Sequence, residues 1–389
     1  MKWTNRGHEL DQLAKQFIAV KRIYFWRTGK RAEECVNLLC WMKLDGEFEI
    51  CFVDEDPEKR VAGFLGREVI SPEEFFARYN EECLVVSTKR DISDRLREHG
   101  IPYHDFRNLQ SRRNTFVQWF ICIYMLYKHN KLVSHSMEYN VTRKCNLNCQ
   151  GCLNFNHYIC NPQDETLEAF KSHLFTVFQR YDKLFTFHLS GGEPFLNKML
   201  PEMLHHITAE YSDKIYTKYI YTNGTVLANE ELLKALKEGD FWVMIDDYRD
   251  TVPLARERIP QLIEKMEQYG IRYQLNKYDQ WCDIAFKRVD FSGWSEEQMI
   301  DHRDRCNTYL QQMIDGKIYS CCYEHYAMVA GLVDHADCID IMTTPKVEIL
   351  EYRLGYTEKG YLDMCRFCHG LEDSAPLVPA VQIPKPECR

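Results

Sequence analysis

The sequence predicts an α/β fold in three parts: an N-terminal Rossmann-like doubly wound domain, a central partial (β/α)6 barrel and a small C-terminal module. Three observations carry this. Strand-like and helical runs alternate twice, through residues 1–109 and again through 136–300, as expected where helices cover parallel sheets. The turns richest in Gly, Asn, Asp and Cys follow predicted strands, the edge where parallel α/β folds place their sites. The stretch 301–389 is poor in long periodic runs but supplies a second group of cysteines.

In residues 1–109 the strand-like runs are Arg22 to Trp26, Phe48 to Val53, Val69 to Ile70, Cys83 to Ser87 and Pro102 to Phe106. Arg31 to Met42, Pro72 to Tyr79 and Ser93 to His99 have helical spacing, and Ser71 before Pro72 is a helix-start signal. The turn Arg27-Thr28-Gly29-Lys30-Arg31-Ala32 after the first strand, with Asp54 ending the second, has the outline of a dinucleotide-binding fingerprint. Arg27 stands where the first glycine belongs, and its side chain would crowd a pyrophosphate, so the pattern weighs against NAD. The run from Ile23 through Val53-Asp54-Glu55-Asp56-Pro57 to Ile70-Ser71-Pro72-Glu73-Glu74 resembles small Rossmann-like domains attached to enzymes of sugar-nucleotide and surface-polysaccharide metabolism. Such a domain docks a partner or holds part of a substrate.

Composition narrows the classes. The chain has 389 residues, 45% of them hydrophobic, enough for more than one core at about 150 residues per domain. The net charge of −9 provides no overall field for nucleic acid or anionic lipid. The longest apolar run, Trp119 to Tyr127, is too short to span a bilayer, and no export signal is visible. The expectation is a cytoplasmic protein with no nucleic-acid or membrane partner, in which seven of the 17 cysteines fall in tight clusters and read as reduced thiols that hold metal.

A linker helix is expected within 110–135, its apolar stripe facing a core. A strand-like run from Met137 then feeds Cys145-Asn-Leu-Asn-Cys149-Gln-Gly-Cys152. Three thiolates at these spacings can hold three corners of a 4Fe-4S cube and leave the fourth iron open, whereas structural zinc takes four closed ligands. Downstream, the strand-like run from Phe185 ends in Ser190-Gly191-Gly192-Glu193-Pro194, another ends in Thr222-Asn223-Gly224-Thr225, and a third in Asp246-Asp247.

In this order, CxxxCxxC, GGEP and TNG resemble the radical S-adenosylmethionine (radical SAM) superfamily over the central part of the chain. The resemblance implies that Cys145, Cys149 and Cys152 bind a 4Fe-4S cluster whose open iron is chelated by S-adenosyl-L-methionine. It further implies that the Gly191-Gly192-Glu193 turn holds the cofactor's amine, with Thr222, Asn223 and Asp246 as further cofactor contacts. Independently of the resemblance, Gly191 and Gly192 permit close backbone approach, and Glu193 is a carboxylate suited to an ammonium. The sequence departs from the family at Gly151, where an aromatic residue often precedes the third cysteine; Phe155 or His157 then becomes the candidate for packing on adenine.

In the last part, Cys306, Gly316 and Cys321 are followed by Cys365-Arg-Phe-Cys368. Asp315-Gly316 is a hairpin signal that would bring Cys306 and Cys321 together across paired strands. Four thiolates close either a 4Fe-4S cluster or a zinc site. The pattern Cx9Gx4C followed by CxxC resembles the auxiliary-cluster module called twitch, the shortened form of SPASM, and implies one auxiliary 4Fe-4S cluster on Cys306, Cys321, Cys365 and Cys368.

The resemblance implies an oxidoreductase that cleaves S-adenosylmethionine to a 5′-deoxyadenosyl radical and takes hydrogen from a small carbohydrate-type substrate, a sugar or nucleotide sugar. The auxiliary cluster would accept the remaining electron, and a flavodoxin- or ferredoxin-type donor would supply the first. His188, Asp247, Tyr248 and Arg249 are candidate bases, and Arg303 or Arg305 candidate substrate contacts. Epimerisation with Cys322, Cys282 or Cys160 as hydrogen donor, and peptide modification, are the alternatives.

Overall fold

The computed structural model describes residues 1–88, 90–107, 114–306, 311–371 and 373–384. The chain divides into two compact units, His8–His135, and Met1–Gly7 together with Ser136–Arg389.

The first unit is a five-stranded sheet of β1 (Arg22–Trp26), β2 (Glu49–Val53), β3 (Val69–Ile70), β4 (Cys83–Ser87) and β5 (His104–Asp105) in the order β3-β2-β1-β4-β5. β1 runs parallel to β2 and β4, β2 to β3 and β4 to β5, which is the doubly wound arrangement. Residues 23–26 are buried on both faces, the reason the strand reads as an unbroken apolar run. One face packs Tyr24, Trp26, Val53 and Val85 on Phe75 and Leu96. Pro72–Arg78 starts with a reciprocal Ser71–Glu74 capping box, as the Ser-Pro signal predicts. The run 102–106 contributes only His104–Asp105 to the sheet. The apolar stretch after residue 113 forms a wide helical turn, Phe116–Ile121, continued as the helix Cys122–His129. Residues 108–113, which include the start of the expected linker at 110, lie outside the described residues.

At the fingerprint turn Arg27 adopts φ 79°, the left-handed backbone that favours glycine. Asp54 accepts from the Thr28 amide at 3.0 Å and hydroxyl at 2.7 Å, from the Asp56 amide at 3.1 Å and from Lys59 at 3.1 Å. Although burial opposes it, these donors hold the Asp54 carboxyl down at about 2. The acidic residue that would meet a ribose in a dinucleotide site is thus committed to its own turn.

The second unit is built on an eight-stranded sheet. Its strands are β6 (Val133–Thr142), β7 (Lys183–Gly191), β8 (Ile215–Thr222), β9 (Trp242–Asp246) and β10 (Arg272–Asn276), followed after a separate β11 (Trp281–Asp283) by β12 (Gln312–Ile314), β13 (Lys317–Tyr319) and β14 (Cys338–Asp340). The order is β10-β9-β8-β7-β6-β12-β13-β14, and β11 pairs antiparallel with β15 (Ala375–Leu377). The pairs β7/β8, β8/β9 and β9/β10 are parallel, with helices Leu167–Arg180, Leu200–Tyr211, Glu230–Glu238 and Pro253–Gln268 between successive strands, giving a partial barrel. Strand β6 shows why the barrel has a polar interior: Tyr139 packs on Phe170 of the following helix, while Glu138, Asn140 and Thr142 alternate onto the other face. The edge of β6 is taken by β12 through the parallel register Gln312 to Glu138. Asp315 and Gly316 both have positive φ, 50° and 70°, in the tight turn joining β12 to β13.

Candidate functional site

Three turns at strand ends interlock. The Gly192 amide donates to Thr142 O at 2.9 Å and the Glu193 amide to Lys144 O at 2.7 Å, fixing the GGEP turn against the chain leading into the cysteine loop. A Cβ on Gly191 would lie 2.2 Å from Thr142 O, and one on Gly192 would lie 2.1 Å from Lys144 O. Here the two glycines serve an approach of backbone to backbone.

Glu193, 0% exposed, reaches across to the TNG turn. Its carboxylate accepts from the Asn223 amide at 2.7 Å, the Thr222 hydroxyl at 2.9 Å and the Phe195 amide at 3.0 Å. Burial pushes its pKa up to about 7 despite these donors. Asn223 closes the triangle: its side-chain amide donates to Asn146 Oδ1 at 3.1 Å and lies 3.9 Å from Cys145 Sγ. Asn146 in turn donates to Thr225 Oγ1 at 2.7 Å. Asp246, at the end of β9, accepts from Tyr278 at 3.0 Å, Tyr248 at 3.1 Å and Asn276 at 3.3 Å, and burial pushes its pKa up to about 6.

The thiols of the loop are prepared for negative charge. The Leu147 amide donates toward Cys145, the Gln382 side chain donates to Cys149 Sγ at 3.1 Å, and the amides of Asn154, Phe155 and Asn156 turn toward Cys152. Burial nevertheless pushes Cys145 up to about 12 and Cys149 up to about 11, so bound cations are what would keep these sulfurs ionised. This donor set fits an iron–sulfur group. Phe155 is 5% exposed and packs against Phe286 in an apolar cluster with Ile284 and Met364, while His157 lies against Tyr158 with its Nδ1 buried and unbonded.

Cys306, Cys321, Cys365 and Cys368 line one cavity together with Arg303, Met364 and Gly370. The sequence expectation that Cys306 and Cys321 sit across paired strands is corrected. Cys306 ends the helix Glu296–Cys306, and Cys321 precedes the helix Cys322–Val329; the hairpin lies between them in sequence without carrying either. Arg303 is buried, donates to Ser320 O at 3.1 Å and Oγ at 3.2 Å, and keeps its Nε without a partner. Burial works against its charge, but Cys365, Cys321 and Cys306 outweigh that and raise its pKa. A guanidinium with an orphaned donor among four thiols fits an anionic thiolate cluster better than a substrate contact. Arg305 is exposed and pairs with Asp301 and Asp373. Among the described residues no three His, Cys, Asp or Glu side chains converge closely enough to hold a single metal ion.

The candidate bases are largely committed. His188 is buried, bonded to Thr186 Oγ1 at 2.9 Å and Tyr221 OH at 3.1 Å, and stacked on Tyr219. Asp247 is paired with Arg249 at 2.7 Å.

Sequence reading missed Glu138. It is 7% exposed on the polar face of β6, and Ser190, the residue before the GGEP glycines, donates to its Oε1. Ser190 also meets Asn140 Oδ1 at 2.6 Å. Burial raises the Glu138 pKa, with Ser190, Tyr326 and Arg143 opposing, and Cys322 lies within electrostatic reach. The signal was present as a Glu inside a strand otherwise suited to burial, but alternation alone did not say which neighbours it would meet.

Residues 139–246 match the family described as Radical SAM superfamily. No curated protein matches the chain. Among solved structures, the chain is similar to anSMEcpe with bound AdoMet and Kp18Cys peptide at 20% identity and TM-score 0.30, over 37% of this chain and 42% of that one. It is similar to native anSMEcpe with bound AdoMet at 16% identity and TM-score 0.42, over 59% and 81%. It is also similar to BtrN in complex with AdoMet and 2-DOIA at 16% identity and TM-score 0.38, over 60% and 92%. No helix among the described residues is long and apolar enough to cross a membrane.

Proposed function

We propose that this chain, which carries a radical SAM superfamily domain over residues 139–246, is an oxidoreductase that removes two electrons from a small hydroxylated substrate of carbohydrate type. Cys145, Cys149 and Cys152 would hold the 4Fe-4S cluster, and Gly191, Gly192, Glu193, Thr222, Asn223 and Asp246 the S-adenosyl-L-methionine. Cys306, Cys321, Cys365 and Cys368 would hold an auxiliary 4Fe-4S cluster. A cluster held by these cysteines would supply, when reduced, an electron for splitting S-adenosylmethionine into methionine and a 5′-deoxyadenosyl radical able to take a hydrogen atom from carbon.

Oxidation of an alcohol also requires a place for the hydroxyl proton and one for the last electron. Glu138 is the observation that carries the reading. It is a buried carboxyl joined to Ser190 beside the GGEP turn and within reach of Cys322, the residue after the cavity cysteine Cys321. Its raised pKa suits it to accept a proton, Tyr326 and Arg143 stabilise the charge it holds before doing so, and Arg303 balances the charge of the four-thiol cage. Division of the chain into a Rossmann-like domain over 1–109, a linker over 110–135, the barrel over 136–300 and the cluster module over 301–389 completes the proposal.

Cys322 favours one second reading. Its buried thiol, which feels the charge of Glu138, would be the one to return a hydrogen atom in an epimerisation; Cys160 is disulfide-bonded and Cys282 lies in the β11/β15 ladder. The test is anaerobic reconstitution, chemical reduction and incubation with S-adenosylmethionine and a panel of sugars, nucleotide sugars and peptides. Release of 5′-deoxyadenosine with loss of two hydrogens from one sugar supports oxidation. Inversion at unchanged mass, abolished by Cys322→Ala, supports epimerisation, and turnover of peptides alone defeats both.

A further inference from the structure

The segment that includes β15 lies against the cysteine loop although more than 200 residues separate them in sequence. Cys149 and Gln382 form an antiparallel bridge, the Gln150 amide donates to Val381 O at 2.7 Å, and the Ile383 amide donates to Asn148 O at 2.9 Å. Asn148 returns its side-chain amide to Ile383 O at 2.7 Å. Leu377 occupies the space beside Gly151, where a Cβ would meet its Cδ1 at 2.5 Å. The missing aromatic residue before Cys152 is thereby accounted for: with φ 73° and Leu377 against it, position 151 takes only glycine without a shift.

The orientation of the Gln382 side chain is fixed by its partners. Its Oε1 accepts from the Asn148 amide at 2.8 Å, so its Nε2 is the end that faces Ala380 O at 2.8 Å and Cys149 Sγ at 3.1 Å. An N–H aimed at a cluster thiolate withdraws negative charge from sulfur, and hydrogen bonds to the sulfurs are among the factors that set cluster potentials.

We propose that residues 375–383 are a fixed strap over the cysteine loop, in which Gln382 is a positioning residue that raises the reduction potential of the first iron–sulfur cluster through its N–H···S bond to Cys149. This rests on the reading that Cys149 is a cluster ligand. The strap makes the electron easier to load, and its backbone bonds hold the loop at residues 148–150.

Two measurements test it. In full-length, anaerobically reconstituted protein, Gln382→Met keeps side-chain length and removes the donor. An EPR-monitored redox titration is expected to give a more negative midpoint for the first cluster, with iron content and the auxiliary signal unchanged. A wild-type midpoint in a fully loaded variant overturns the role of Gln382. In the metal-free full chain, Ile383→Pro removes one strap bond. The Gln150 amide is then expected to exchange with deuterium about fivefold faster, the equivalent of one hydrogen bond of about 1 kcal/mol. Unchanged exchange overturns the strap. If wild-type protein assembles only the auxiliary cluster, the ligand reading fails and takes the potential claim with it, while the exchange result independently upholds or defeats the strap.

Discussion

Replacing Gly192 by alanine tests the claim that the GGEP turn is seated on the chain leading into the cysteine loop. The added carbon would stand 2.1 Å from Lys144 O, 2.5 Å from Lys144 C and 3.0 Å from Arg143 O, all backbone atoms that no rotamer change can move. Non-bonded heavy atoms sit about 3.5 Å apart, so relief requires a displacement of more than about 1 Å. That is enough to break the Gly192 to Thr142 and Glu193 to Lys144 bonds. At about 1 kcal/mol each the loss is about 2 kcal/mol, a fall in Tm of roughly 4–8 °C for a unit of this size. A misplacement of about 1 Å near reacting groups also costs on the order of 100-fold in rate. The assay is thermal unfolding of the metal-free protein beside 5′-deoxyadenosine release by the reconstituted protein. Gly293→Ala is the control, because a Cβ there meets nothing within 4 Å. A Gly192→Ala protein with wild-type Tm and wild-type cleavage would refute the reasoning.

The other expectations follow from the two cages and their surroundings. Alanine at Cys145, Cys149 or Cys152 should abolish 5′-deoxyadenosine release while the auxiliary cluster still assembles, which iron analysis and EPR separate. Arg303→Met should remove the cation among the four cavity thiols and lower iron content by about half, with the first cluster retained; full loading would show that the guanidinium is not needed for charge balance. Asp246 has its pKa raised from 3.8 to about 6, so its fold prefers the protonated form. Its contribution to stability is complete below the unfolded value and is lost as pH rises through about 6. Urea midpoints of the metal-free protein should therefore show a falling component across that window that is missing from Asp246→Asn. Glu138→Gln should leave both clusters and S-adenosylmethionine cleavage in place but slow substrate oxidation at least about 100-fold, the lower range for a lost general base; an unchanged oxidation rate excludes it as proton acceptor.

The parts of this chain that could be read in advance are those whose information is local. Ile23 to Trp26 declares a strand covered on both faces, Ser71-Pro72 declares a helix start, and Asp315-Gly316 declares a tight turn, because each depends on backbone preferences of the residues themselves. The positions of GGEP and TNG at strand ends were likewise legible. What Glu193 does there was not: its three donors come from residues 195, 222 and 223, and only the parallel register of β7 with β8 brings the last two within reach. Arg303, close to Cys306 in sequence, read as a candidate substrate contact, and only burial shows it among thiols from four separate positions. Gln382 gave no warning, since its partner is 233 residues away and neither residue's neighbours are periodic. Contacts of that range are set by chain topology, which residue spacing does not encode.

The single bridge from Gln312 to Glu138 makes one continuous ladder of the barrel and the module that follows it. A joint made by a loop would let the two groups of sulfurs drift apart with every thermal fluctuation. A shared rung works instead as a ruler: were both groups of sulfurs to hold clusters as proposed, the distance between them would follow the spacing of paired strands rather than the slack of a loop.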